Sequence, residues 1–225
     1  MDRTYPYFLV NFKSYEETAG DDGLAFVETI ERVSEATDTR FAVAPQLPDL
    51  RWIAERTSLP VVAQAAIPRD DAGMGDATLE TVADAGAAAV FVTHPGLEVG
   101  FEAVGPRIAR CRDLGLESIV WVPDRETARA ALSFDPDCLL YERPSDVASE
   151  AGMVRTNPER IERFVEFVAD ESPRTAVFVG GGVRTAEDVE RAFACGVDAT
   201  GAASAAVEAD DREGWLRSIA AAVPD

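Results

Sequence analysis

Apolar residues fall along this chain in two alternating patterns. Short runs rich in β-branched and aromatic residues occupy 8–11, 41–44, 61–64, 89–93, 118–122, 138–142, 176–180 and 198–202. Between them lie longer segments of helical period, among them 23–37, 99–114, 157–170 and 185–195. The short runs are apolar at consecutive positions, as strands are when both faces of a parallel sheet are buried. Asp124 and Thr185 each precede a helical segment with acids in its first turn, as N-caps do. Gly86, Gly115 and Gly196 follow helical segments, where a left-handed residue closes a helix. Eight strand–helix units with no linker or low-complexity stretch between them predict an α/β fold. The expected form is a (β/α)8 barrel in one domain over 1–225. An open doubly wound sheet fits less well, because no Gly-x-Gly-x-x-Gly follows the first strand.

Charge narrows the classes of partner. The chain has 41 Asp and Glu against 21 Lys and Arg, a net charge of -20. Such a surface repels phosphate backbones and anionic lipid, so neither a nucleic acid nor a membrane is an expected partner. No apolar run reaches the length of a membrane span. The first residues lack the basic and apolar regions of a secretion signal, and a cytoplasmic location is expected. Cys111, Cys138 and Cys195 lie far apart and are odd in number, which predicts buried apolar side chains rather than disulfides or metal ligands. The basic residues are 20 Arg and one Lys, Lys13. An acid excess with almost no Lys suggests a halophilic protein, because salt screens the self-repulsion of the folded state.

Candidate chemistry gathers where the strands end. In a barrel, the C-terminal ends of the strands face the active site. Asn11 and Lys13 fall there after the first strand, Gln64 after the third, His94 after the fourth and Glu142 after the sixth. The only Lys and the only His of the chain thus share one face with a carboxylate. Singly, each suits a structural role; jointly, they favour a site. Gly180, Gly181 and Gly182 end the seventh strand, and Ala203, Ser204 and Ala205 follow the eighth. Backbone amides at such turns suit an anion, and phosphate is the anion barrels often hold there. Two tight connecting turns are the plainer alternative.

These residues resemble the triosephosphate isomerase family, particularly its short archaeal form. The likeness runs along essentially the whole chain. It includes Val10-Asn11-Phe12-Lys13, Val43-Ala44-Pro45-Gln46, Ala63-Gln64, the His ending the fourth strand, and Tyr141-Glu142-Arg143-Pro144. Val179 to Val183 and Ala203 to Val207 complete it. The resemblance implies a glycolytic and gluconeogenic isomerase interconverting dihydroxyacetone phosphate and glyceraldehyde 3-phosphate. It also implies roles: Glu142 the base, His94 a neutral electrophile, Lys13 the balancing cation, Asn11 its assistant. No cofactor is implied, and the expected partners are a small phosphorylated sugar and further copies of the chain in a homo-oligomer.

The sequence departs from the family in three places. Thr93-His94-Pro95-Gly96 replaces Asn-His-Ser-Glu, which removes the Glu that ordinarily lies beside the lysine. The lid tip reads Val147-Ala148-Ser149-Glu150 instead of a Gly-rich sequence. The third loop, which joins subunits in the family, reads Arg69-Asp70-Asp71-Ala72-Gly73-Met74-Gly75-Asp76. Two alternatives therefore stand beside the isomerase: a paralogue acting on another phosphorylated aldose–ketose pair, and a non-catalytic barrel that binds a phosphate ligand.

Overall fold

A computed structural model describes residues 5–68, 74–97, 99–145 and 152–224. The strands are β1 (Tyr7–Asn11), β2 (Phe41–Ala44), β3 (Val62–Ala63), β4 (Ala89–Thr93), β5 (Glu117–Val122), β6 (Cys138–Tyr141), β7 (Ala176–Val179) and β8 (Ala199–Ala202). The helices are α1 (Gly20–Thr37), α2 (Leu50–Ala54), α3 (Leu79–Asp84), α4 (Val104–Leu114), α5 (Arg125–Leu132), α6 (Met153–Thr156), α7 (Pro158–Glu171), α8 (Ala186–Ala194), α9 (Ser204–Val207) and α10 (Arg212–Ala220). All strand pairs are parallel, in the order β2-β1-β8-β7-β6-β5-β4-β3. A parallel bridge between Val43 and Val61 joins the two outer strands, and the Val43 amide donates to the Pro60 carbonyl at 3.0 Å. The sheet is thereby brought round into the (β/α)8 barrel that the sequence pattern predicts.

Alternation within each strand builds two separate apolar layers. Leu9, Phe91, Ile119, Leu140 and Phe178 point into the barrel with small residues such as Ala89 and Ala199. Their neighbours Phe8, Val10, Val120, Leu139 and Val177 point outward into the layer beneath the helices. Continuing the inward parity by one step past Leu9, Leu140 and Phe178 gives Asn11, Glu142 and Gly180. The same two-residue period that packs the interior thus delivers these three to the C-terminal mouth.

Local signals set the helix ends. Asp124 accepts from the Thr127 amide, and Thr185 forms a reciprocal capping box with Asp188. Gly86, Gly115 and Gly196 take positive φ as expected. Most element ends shift by one to a few residues from the sequence pattern, and two of the differences have a local cause. The helical segment expected from 99 begins as a 3-10 turn at Phe101–Ala103 and becomes α-helical only at Val104. The third strand keeps two residues of the expected four, since Val61 makes only the closing bridge and Gln64 turns its amide to other backbone groups. The three cysteines are buried and free. Burial pushes the Cys111 thiol up to about 12 and raises those of Cys138 and Cys195, so all three stay protonated. Among the described residues no helix is long and apolar enough to cross a membrane.

Candidate active site

A cavity of 320 Å³ opens at the C-terminal mouth of the barrel. Leu9, Phe91, Leu140 and Phe178, the top of the interior packing, form its apolar floor. Asn11, Lys13, His94, Glu142, Gly180, Gly181, Gly182, Ala203 and Ser204 line its walls. Ala205 does not; its side chain packs against the outer hydrophobic layer, because α9 has already begun and turns it away. Gln64 is also absent from the lining. A larger cavity of 950 Å³ lies at the opposite mouth, among strand-start residues such as Phe41, Val62, Ala89 and Glu117. The chemistry-bearing Lys and His are not there, so size does not mark the site.

Lys13 sits in a conformation that a non-glycine residue seldom adopts. Its φ is +45°, a strain of ~1–3 kcal/mol that surrounding contacts must hold. Those contacts are specific. Asn11 Oδ1 accepts from the Lys13 amide at 2.8 Å, and Gln64 Nε2 donates to the Lys13 carbonyl at 2.8 Å. The same Gln64 amide donates to the Ala44 carbonyl at 3.0 Å. Gln46 Nε2 donates to the Tyr15 carbonyl at 2.8 Å, and buried Thr18 donates to the carbonyls of Phe12 and Tyr15. The ends of three strands therefore clamp one loop. Among the described residues the Lys13 ammonium has no carboxylate partner. Its backbone, rather than an ion pair, fixes its place.

His94 is set by its neighbours as a hydrogen-bond donor. The Gly96 amide donates to His94 Nδ1 at 3.1 Å. The proton of the neutral ring therefore resides on Nε2, which faces the Glu142 carboxylate at 4.0 Å. Pro95 has no N–H to offer, and the amide of the next residue, Gly96, makes this contact. Burial, and then the nearby Lys13 charge, lower the imidazole below its ordinary value. The β4–β5 register slips between Phe91 and Thr93, just before this histidine, and such bulges re-aim the side chains beside them.

Glu142 is only 6 % exposed. Gly180 makes the room: a Cβ there would lie 3.2 Å from Glu142 Oε1 and 3.2 Å from Leu140 Cδ1. Gly181 and Gly182 follow with φ of +79° and +76°, a turn closed to side chains without strain.

The family model for triosephosphate isomerase matches residues 6–223. The chain belongs to the triosephosphate isomerase family. It is 32 % identical to a triosephosphate isomerase of Methanothermus fervidus over 97 % of this chain and 98 % of that one. It is 31 % identical to one of Pyrobaculum arsenaticum (96 % and 97 % covered) and 30 % identical to one of Methanocaldococcus jannaschii (94 % and 97 % covered). The membership agrees with the resemblance carried by the strand-end motifs, and it makes the chain an isomerase.

Sequence reasoning overlooked several residues that shape this family's cavity here. Tyr15, Arg184 and Glu208 line it. Arg155 on α6 donates to buried Asp188 on α8 and, at 3.0 Å, to the Gly182 carbonyl. Asp188 also accepts from the amides of Arg184 and Thr185 at 2.9 and 3.2 Å. The acid at the third position of the capping box was a visible signal; its long-range arginine was not. The lid tip at 147–150 and most of the third loop, 69–73, lie outside the described residues.

Proposed function

We propose that this chain interconverts dihydroxyacetone phosphate and D-glyceraldehyde 3-phosphate through an enediolate. The observation that carries the reading is the convergence of Lys13, His94 and Glu142 on one cavity at the strand C-termini. Their assignments follow the family's mechanism, which the local geometry suits. Glu142 removes a proton from the carbon beside the carbonyl and returns it to the neighbouring carbon. His94 Nε2–H donates to the oxygens on which charge develops. A neutral ring suits this task, since an imidazolium would also surrender its proton to Glu142. Lys13 offsets the enediolate and phosphate charge, with Asn11 holding its backbone. Amides of Gly181, Gly182 and Ser204 supply neutral donors for the phosphate. The substrate's atoms and electrons balance with a proton shuttle alone, so the reaction as written needs no cofactor.

The same reading places the protein in a salt-rich cytoplasm. A charge of -20 supports it, as does the withdrawal of the only Lys from the surface into the cavity. Association with further copies of the chain belongs to the same reading, as the family resemblance implies.

The test is a coupled assay with each triose phosphate at high KCl, against Glu142→Gln. Wild type is expected to exceed the variant by at least about 10²-fold, the lower range for a positioned general base. Equal rates would remove the catalytic reading.

A further inference from the structure

The cavity contains a second cation that neither the strand-end pattern nor the family's proton-transfer roles account for. Arg184 follows the glycine turn and lines the cavity. Its backbone is fixed from both sides. Its amide donates to Asp188 Oδ2 at 2.9 Å, and its carbonyl accepts from Trp215 Nε1 at 2.9 Å. Its guanidinium has no carboxylate partner among the described residues. Many other arginines of this chain are paired with acids, as Arg51 is with Asp84 and Arg191 with Glu187.

Charge balance explains what such an arginine can do. Among the described residues the carboxylates lining the cavity are Glu142 and Glu208, and the cations are Lys13 and Arg184. With His94 neutral, Lys13 alone would leave the cavity one negative charge in excess, inside a protein already at -20. An anionic substrate would enter against that field. Arg184 offsets that excess among the described residues and offers the planar fork that pairs with phosphate oxygens. Its place beside the Gly181 and Gly182 amides puts it on the side of the cavity where the phosphate is proposed to sit.

We propose that Arg184 is a phosphate-binding and specificity residue of this cavity, opposed by Glu208. The inference rests on the proposed function for the identity of the substrate, but not for phosphate binding itself. Titration calorimetry with inorganic phosphate, on wild type, Arg184→Ala, Arg184→Lys and Glu208→Gln, needs no turnover. Arg184→Ala is expected to weaken phosphate about tenfold, the loss of one charge-assisted hydrogen bond at a partly solvated site. Arg184→Lys should recover part of that loss, and Glu208→Gln should tighten phosphate by about threefold. In turnover, the loss in kcat/KM for glyceraldehyde 3-phosphate should exceed that for unphosphorylated D-glyceraldehyde by about tenfold, mostly through KM. The substitutions spare the two backbone contacts, and melting curves check that the turn survives. Unchanged phosphate affinity in Arg184→Ala, no phosphate binding by wild type, or equal losses on both trioses would overturn the proposal. Failure of the isomerase reading would show differently, as wild-type turnover no greater than Glu142→Gln with phosphate binding still dependent on Arg184.

Discussion

Replacing Arg155 by Met removes one partner of a buried carboxylate. The Asp188 side chain is 2 % exposed and that of Arg155 24 %. Breaking a buried pair from one side costs about 3–5 kcal/mol, because the remaining charge stays desolvated. Two features reduce that figure here. Asp188 keeps the amides of Arg184 and Thr185, and Arg155 is itself partly hydrated. A cost of about 2 kcal/mol follows, which for a chain of this length lowers Tm by about 4–8 °C. The Gly182 carbonyl loses its donor in the same step. The glycine turn should loosen, raising KM for the phosphorylated substrate more than it lowers kcat. Thermal melts at high KCl provide the assay, since a buried pair is little screened while exposed pairs are. Arg51→Met is the control: its partner Asp84 is 79 % exposed, so its Tm should move by no more than about 1–2 °C. Asp188→Asn and the double variant complete a cycle. Equal shifts for Arg155→Met and Arg51→Met, or strict additivity across the cycle, would refute the reasoning.

Two further outcomes follow from the site geometry. Gly180→Ala requires no unusual φ, yet its Cβ would press on Glu142 Oε1 and Leu140 Cδ1 at 3.2 Å. A displacement of a few tenths of an ångström in the base should lower kcat about tenfold with little change in Tm; an unaltered kcat contradicts the placement of Glu142. His94 provides a pH test. Its folded-state pKa lies below its unfolded value, so between the two the unfolded chain binds the extra proton. Its contribution to stability is therefore lost as pH falls through about 6.5 and levels off below the depressed pKa, at most about 1.4 kcal/mol per pH unit. Denaturant melts at pH 7.5 and 5.5 should show a smaller acid loss for His94→Gln than for wild type, and equal losses would mean the ring is not held neutral.

How far the sequence reached can be seen residue by residue. Asn11, Lys13, His94 and Glu142 were legible because a barrel strand's C-terminal end is marked by where its apolar run stops. Gln64 was placed at the right strand end but does not line the cavity; its amide is committed to the Lys13 and Ala44 carbonyls. Ala205, named for its amide after the eighth strand, does not line the cavity, and the short α9 turns its side chain to the outer layer. Arg155, Arg184 and Glu208 carried no signal against a background of 20 Arg and 41 acids.

The sequence by itself determined the alternation of eight strands with helices, and hence the end of the barrel at which the chemistry collects. These are properties of period and of where each apolar run stops, which one strand carries without its neighbours. The tertiary structure alone decided which groups meet across loops: Arg155 with Asp188, and Gln64 with the Lys13 and Ala44 carbonyls in the clamp that holds Lys13 at positive φ. These contacts join residues 20 to 51 positions apart, and nothing in the spacing of a single element encodes them. In a chain with so many interchangeable arginines and acids, only the packed barrel selects the pairs.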